Sequence, residues 1–98
     1  MIVVKRASSS VKITGHAGYA EPGKDIVCAG VSTLVQNLIA SLDMLTPGAL
    51  ESTEIKPGYT EIKYINLSKH AKMLIDSFFI GVNLIANEYP ENVKIKYE

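Results

Sequence analysis

The chain is poor in the residues that build special chemistry. It has one cysteine, no tryptophan, two histidines and no excess of either charge, with ten basic side chains against ten acidic among 98 residues. A lone cysteine excludes an internal disulfide. One cysteine with two distant histidines matches no common zinc spacing, so no metal is expected. Balanced charge that is nowhere gathered into a block leaves no footprint for a polyanion, and direct nucleic-acid binding is not expected. Charged or polar residues break every apolar stretch short of the roughly 20 residues that span a bilayer, so no membrane partner is expected. The start, Met1-Ile2-Val3-Val4-Lys5, lacks the charged and apolar regions of a secretory signal. These absences point to a cytoplasmic protein. The length suits one compact domain, residues 1–98, and is short for two independent cores.

What the chain does have is periodicity. The β-branched run Ile2-Val3-Val4, the break Ala7-Ser8-Ser9-Ser10 and the alternation of Val11 and Ile13 with Lys12 and Thr14 read as a hairpin. From Gly15 to Lys24, Gly15, Gly18, Pro22 and Gly23 stand among few aliphatic residues, the pattern of an irregular, mobile loop. Asp25 suits the N-cap of a helix running to about Leu42, in which Val27, Val31, Leu34, Val35, Leu38 and Leu42 form one stripe at about 100° per residue. Leu50 to Ile55 and Tyr59 to Ile65 alternate on either side of Lys56-Pro57-Gly58, a second hairpin whose Pro presets one dihedral and whose Gly accepts a positive φ. Ser68 suits the cap of a second helix, to about Tyr89, with Ala71, Leu74, Ile75, Phe78, Val82, Ile85 and Tyr89 on one face. Pro90 ends it, and Val93, Ile95 and Tyr97 alternate with lysines in a last strand.

The order ββαββαβ predicts an α+β fold of two layers, a largely antiparallel sheet with two helices on one face. The second helix also aligns Met73, Ile80 and Leu84 opposite its main stripe, at spacings of seven and four. One sheet cannot cover both faces of a helix, so a homodimer through this row is expected.

The segment Gly15-His16-Ala17-Gly18, then Lys24-Asp25-Ile26-Val27-Cys28-Ala29-Gly30-Val31-Ser32, joins a strand end, a loop and a helix start. It places Cys28 in the first helical turn, where unpaired N–H groups and the positive end of the helix dipole favour an anionic sulfur. The same N–H groups, that of Cys28 included, are candidate donors to the oxyanion formed when a thiolate attacks an amide carbonyl. A lone helical cysteine is more often a small buried hydrophobe, and the competing reading is a binding module in which Cys28 only packs. A dimeric regulatory domain for a small ligand is a third reading, but it leaves this segment without a purpose.

A nucleophilic cysteine needs a group that takes and returns its proton, and histidine suits that task. His16 leaves a strand between glycines and opens the loop, whereas His70 lies in the first turn of the second helix with no motif around it. Asp25 has two candidate roles, capping the helix or orienting His16. Ser32 and Thr33 either contact substrate or serve packing and helix hydrogen bonds.

Gly15-His16-Ala17, the glycine-containing loop and Asp25-Ile26-Val27-Cys28-Ala29, followed by Val31-Ser32, resemble the signature of the ribosomal-processing cysteine protease Prp family. The length and element order fit as well. The resemblance implies a cysteine endopeptidase with Cys28 and His16 as catalytic pair, Asp25 at the family's acidic position, no cofactor, and a homodimer. It further implies that Gly15, Ala17, Gly18, Tyr19 and Gly23 belong to a substrate-covering loop. The substrate it implies is a precursor of the large-subunit ribosomal protein numbered twenty-seven, cut after paired aromatic residues, with phage structural proteins carrying the same cleavage motif as a related class. An apolar cleft beside the helix start is then expected, with Tyr19 as one wall. The chain departs from the pattern in its very short first hairpin turn and in Gly30, where alanine is frequent.

Overall fold

A computed structural model describes residues 1–98. The elements are β1 (Ile2–Arg6), β2 (Ser10–Thr14), α1 (Ile26–Leu45), β3 (Leu50–Lys56), β4 (Tyr59–Tyr64), α2 (Lys69–Glu88) and β5 (Val93–Tyr97). The five strands form one sheet in the order β3-β4-β2-β1-β5. Three neighbouring pairs are antiparallel, and only β1 with β5 is parallel, with Ile2 opposite Val93 and Arg6 opposite Tyr97. Because β2 and β3 both run antiparallel to β4, α1 is a crossover between two strands of the same direction. For the same reason α2 carries the chain from β4 over β2 and β1 to the far edge.

Side chains alternate across a strand, so one face of the sheet is buried. Ile2 and Val4 of β1, Val11 and Ile13 of β2, Ile62 and Tyr64 of β4 and Val93 of β5 are all buried. Against them α1 buries Val27, Val31, Val35, Leu38 and Leu42, and α2 buries Ala71, Ile75, Phe78, Phe79 and Val82. Both helices therefore lie on one face, and their apolar side chains join those of the sheet in one cluster. The two helices approach closely at glycines: a Cβ on Gly81 would stand 3.0 Å from Leu34, and one on Gly30 would stand 3.3 Å from Ile85.

Several boundaries and core positions differ from the pattern in the sequence. α1 runs to Leu45 rather than Leu42, so Met44 and Leu45 lie beyond the core stripe and are exposed. It stops where Thr46 turns back, its hydroxyl donating to the Leu42 carbonyl at 2.8 Å. Leu34, Leu74, Ile85 and Tyr89 are half-buried at the rim of the stripes, while Phe79, outside the expected face, is buried. The Phe79 ring stands edge-on to Phe78, and the Arg6 guanidinium covers it 4.5 Å from its centroid. β3 is an edge strand with Leu50 alone half-buried. By length and composition α1 is apolar enough to cross a membrane, contrary to the expectation from uninterrupted runs, but its buried stripe is spent on the sheet.

Candidate active site

The site forms where β2 ends and α1 begins. Gly15 leaves β2 with φ +89°, and its N–H donates to the Gly58 carbonyl in the β3–β4 turn at 2.9 Å. A side chain on Gly15 is also barred by space, since a Cβ would overlap the Met1 carbonyl oxygen. His16 follows, exposed, with its Nε2 only 3.0 Å from where a Cβ on Gly58 would be. Glycine at 58 thus leaves room for the imidazole as well as accepting a positive φ of 71°.

Cys28 sits in the first turn of α1, half-buried and packed against the core at its inner side. The N–H of Ala17 donates to its Sγ at 3.4 Å. The residue after His16 is thereby bonded directly to the cysteine sulfur, which ties the start of the loop to the start of the helix.

Asp25 is the N-cap, and both its oxygens are engaged. Oδ1 accepts from the N–H groups of Val27 at 3.0 Å and Cys28 at 2.9 Å. Oδ2 accepts from Tyr19 at 3.0 Å and Ala20 at 3.3 Å. These donors, that of Cys28 foremost and against a smaller effect of burial, hold the carboxyl below its usual range. Asp25 therefore caps the helix and pins the loop; neither oxygen reaches His16. The Cys28 N–H, a candidate oxyanion donor in the sequence, is committed to this cap. The N–H groups of Gly18 and Ile26 make no bond within the chain and remain open to a substrate.

Two clefts meet at this pair. One, of about 310 Å³, lies between α1 and the β3–β4 hairpin, with Val31, Val35, Ile39, Ile55 and Tyr59 among its walls. The other, of about 660 Å³, lies under the loop, bounded by Gly18, Pro22, Gly23 and Ile26. His16, Cys28 and Ser32 line both. Ser32 is exposed, and its hydroxyl has no partner in the chain, whereas Thr33 donates to Ala29 O at 2.8 Å along the helix.

Other expected loop positions fall differently. Ala17 is buried at 2% exposure and belongs to the core, so it meets a substrate by backbone only. Tyr19 lines neither cleft; its ring stands edge-on to Tyr89 with centroids 5.3 Å apart, while its N–H donates to Asp25. The loop is irregular, as its glycines suggest, but its first half is anchored rather than free. His70 is exposed in α2 and lines neither cleft. No group of three or more His, Cys, Asp or Glu side chains is placed to hold a metal ion.

The apolar cleft does lie beside the helix start, but its outer wall comes from Ile55 and Tyr59 of the second hairpin. Sequence reasoning missed that wall, and it missed Asn92, whose side-chain amide donates to the Ala17 carbonyl at 2.9 Å. Lys56-Pro57-Gly58 was visible as a turn, but nothing in its residues shows which loop it faces. Asn92 stands 75 positions from Ala17 in a turn with no motif, and no local signal marks it.

A thiol in the first turn of a helix, sharing two clefts with an exposed imidazole, is the layout of a hydrolase that works through a cysteine. The chain belongs to the family described as cysteine protease Prp, which matches residues 1–94, and is a cysteine protease. The ribosomal processing cysteine protease Prp of Mycoplasma genitalium is 31% identical over all of this chain and 97% of its own length. That of Bacillus subtilis is 28% identical over 88% of this chain and 82% of the relative. The crystal structure of an essential ribosomal processing protease Prp from S. aureus, in complex with a covalently linked product peptide, aligns over the whole of both chains. Its TM-score is 0.94 and its identity 25%.

Proposed function

We propose that the chain is an endopeptidase that removes the N-terminal extension of the large-subunit ribosomal protein numbered twenty-seven, with Cys28 as nucleophile and His16 as general acid and base. The observation that carries this reading is that Cys28 and His16 line the same two clefts, with the Ala17 N–H on the Cys28 sulfur. The names of the relatives and the covalently linked product in the S. aureus structure support it.

In this reading His16 takes the Cys28 proton, and the resulting thiolate attacks the scissile carbonyl carbon, forming the C–S bond while the carbonyl electrons move onto oxygen. Collapse of that intermediate breaks the C–N bond as His16 gives a proton to the departing amine. A water that His16 deprotonates then attacks the thioester, releasing the acid and restoring the thiol. Gly18 and Ile26 offer open N–H donors two positions from His16 and Cys28. The apolar cleft suits the aromatic side chains before the cut, because Val35, Ile39 and Ile55 give them dry surface. The working unit is a cytoplasmic homodimer through Met73, Ile80 and Leu84.

The test is to incubate wild type, Cys28→Ala and His16→Ala with a peptide spanning the extension and the mature start, and to read products by mass spectrometry. Cleavage by wild type alone is expected, each variant losing activity by more than about a hundredfold. Tight binding without cleavage by wild type moves the assignment to a peptide-binding module. Cleavage by Cys28→Ala at the wild-type rate removes Cys28 as nucleophile.

A further inference from the structure

The turn between α2 and β5 reaches the site through one side chain. Asn92 closes the turn that begins at Tyr89, its N–H donating to the Tyr89 carbonyl at 2.9 Å, and its own carbonyl accepts from the N–H of Ile2 at 2.8 Å. Its backbone is therefore fixed between the end of α2 and the start of β1. From that base its amide donates to the Ala17 carbonyl at 2.9 Å. Ala17 in turn gives its N–H to the Cys28 sulfur. The amino nitrogen of Met1 holds the preceding carbonyl, that of His16.

We infer that Asn92 is a positioning residue for the catalytic loop, holding the carbonyl of Ala17 so that the neighbouring N–H stays aimed at the Cys28 sulfur. The inference rests on the nucleophile assigned to Cys28 above. Three physical points carry it. The planar unit that carries the Ala17 N–H has its His16 carbonyl held by Met1, and it meets the unit that carries the Ala17 carbonyl at a Cα fixed by the buried side chain, so Asn92 pins the second plane and limits how far the residue turns. Only a donor can meet a carbonyl oxygen, so the amide is oriented with its nitrogen inward. Finally, a hydrogen bond to an anionic sulfur is stronger than one to a neutral thiol, so an N–H held in place favours the reactive form. Tyr89 of the same turn steadies the next part of the loop through the Tyr19 ring.

The experiment measures the rate at which iodoacetamide alkylates Cys28 at fixed pH, beside kcat and KM for peptide cleavage, in wild type, Asn92→Ala, Asn92→Ser and Asn92→Gln. Thermal melts confirm that each variant is folded, and the serine variant serves if the alanine variant is not. Loss of one hydrogen bond predicts alkylation about fivefold slower and kcat about fivefold lower, with KM unchanged. Glutamine, which keeps the amide donor, is expected to recover part of both. A residue that only supports the fold would lower the melting temperature and leave alkylation of the folded protein unchanged. An equal or faster alkylation rate in the folded alanine or serine variant overturns the inference. Absence of cleavage by wild type would instead overturn the protease reading, while the alkylation rates still decide the role of Asn92.

Discussion

Asp25 holds four backbone N–H groups with two oxygens, and each oxygen serves a different part of the site. Its folded carboxyl lies below the usual range, so the unfolded chain binds the proton more readily than the folded one. The stability it contributes is complete above the ordinary carboxyl value of about 3.9 and is lost as pH falls through the lower folded value. The Asp25→Asn variant keeps an acceptor for the helix but loses the charge. Wild type is therefore expected to melt at higher temperature than Asp25→Asn at neutral pH, with the difference closing below about pH 4. Melts from about pH 3 to 7 check this, and parallel curves would refute it. The cap itself was legible, since an aspartate before an apolar stripe is a helix-start signal. The second pair of bonds was not, because it exists only once the loop has curled back to bring Tyr19 and Ala20 over the helix end.

At the scale of elements, all seven were legible because strand alternation and helical stripes are local patterns. Their ends were less so: α1 continues for a turn past its apolar stripe because Met44 and Leu45 sustain a helix without being needed by the core. The parallel match of β1 with β5 was not legible either, since it depends on where the α2 crossover lands and not on the residues of either strand. Packing between the helices gives a prediction of its own. A Cβ on Gly30 would meet only the terminal Cδ1 of Ile85 at 3.3 Å, a half-buried side chain that can shift by a few tenths of an ångström. Alanine in a helix interior is favoured over glycine by about 0.8–1.0 kcal/mol. The gain in propensity outweighs that small displacement, and Gly30→Ala is expected to raise the melting temperature by about 3–5 °C with cleavage intact. A lower melting temperature would show that Ile85 cannot move.

Across the whole molecule, the sheet accounts for one face of α2 and leaves another uncovered. Met73, Ile80 and Leu84 are 60%, 64% and 67% exposed, in a row along a helix of 20 residues. Scattered exposed aliphatics are common on monomers, but an aligned row opposite a buried stripe is the surface a second helix covers. Two copies of α2 placed face to face would bring both rows together by a two-fold axis, the usual symmetry of a dimer. Three side chains per copy fall short of the roughly 1,200–2,000 Å² that a stable interface buries, so polar neighbours must join them and the expected affinity is moderate. Sedimentation should therefore give a dimer at tens of micromolar and dissociation on dilution. Ile80→Glu places two carboxylates near the middle of that interface and is expected to yield a folded monomer at every concentration. His16, Cys28 and both clefts lie within one copy, so the monomeric variant should still alkylate at Cys28 at the wild-type rate. Wild type that sediments as a monomer at these concentrations would leave the apolar row without a partner and remove the dimer.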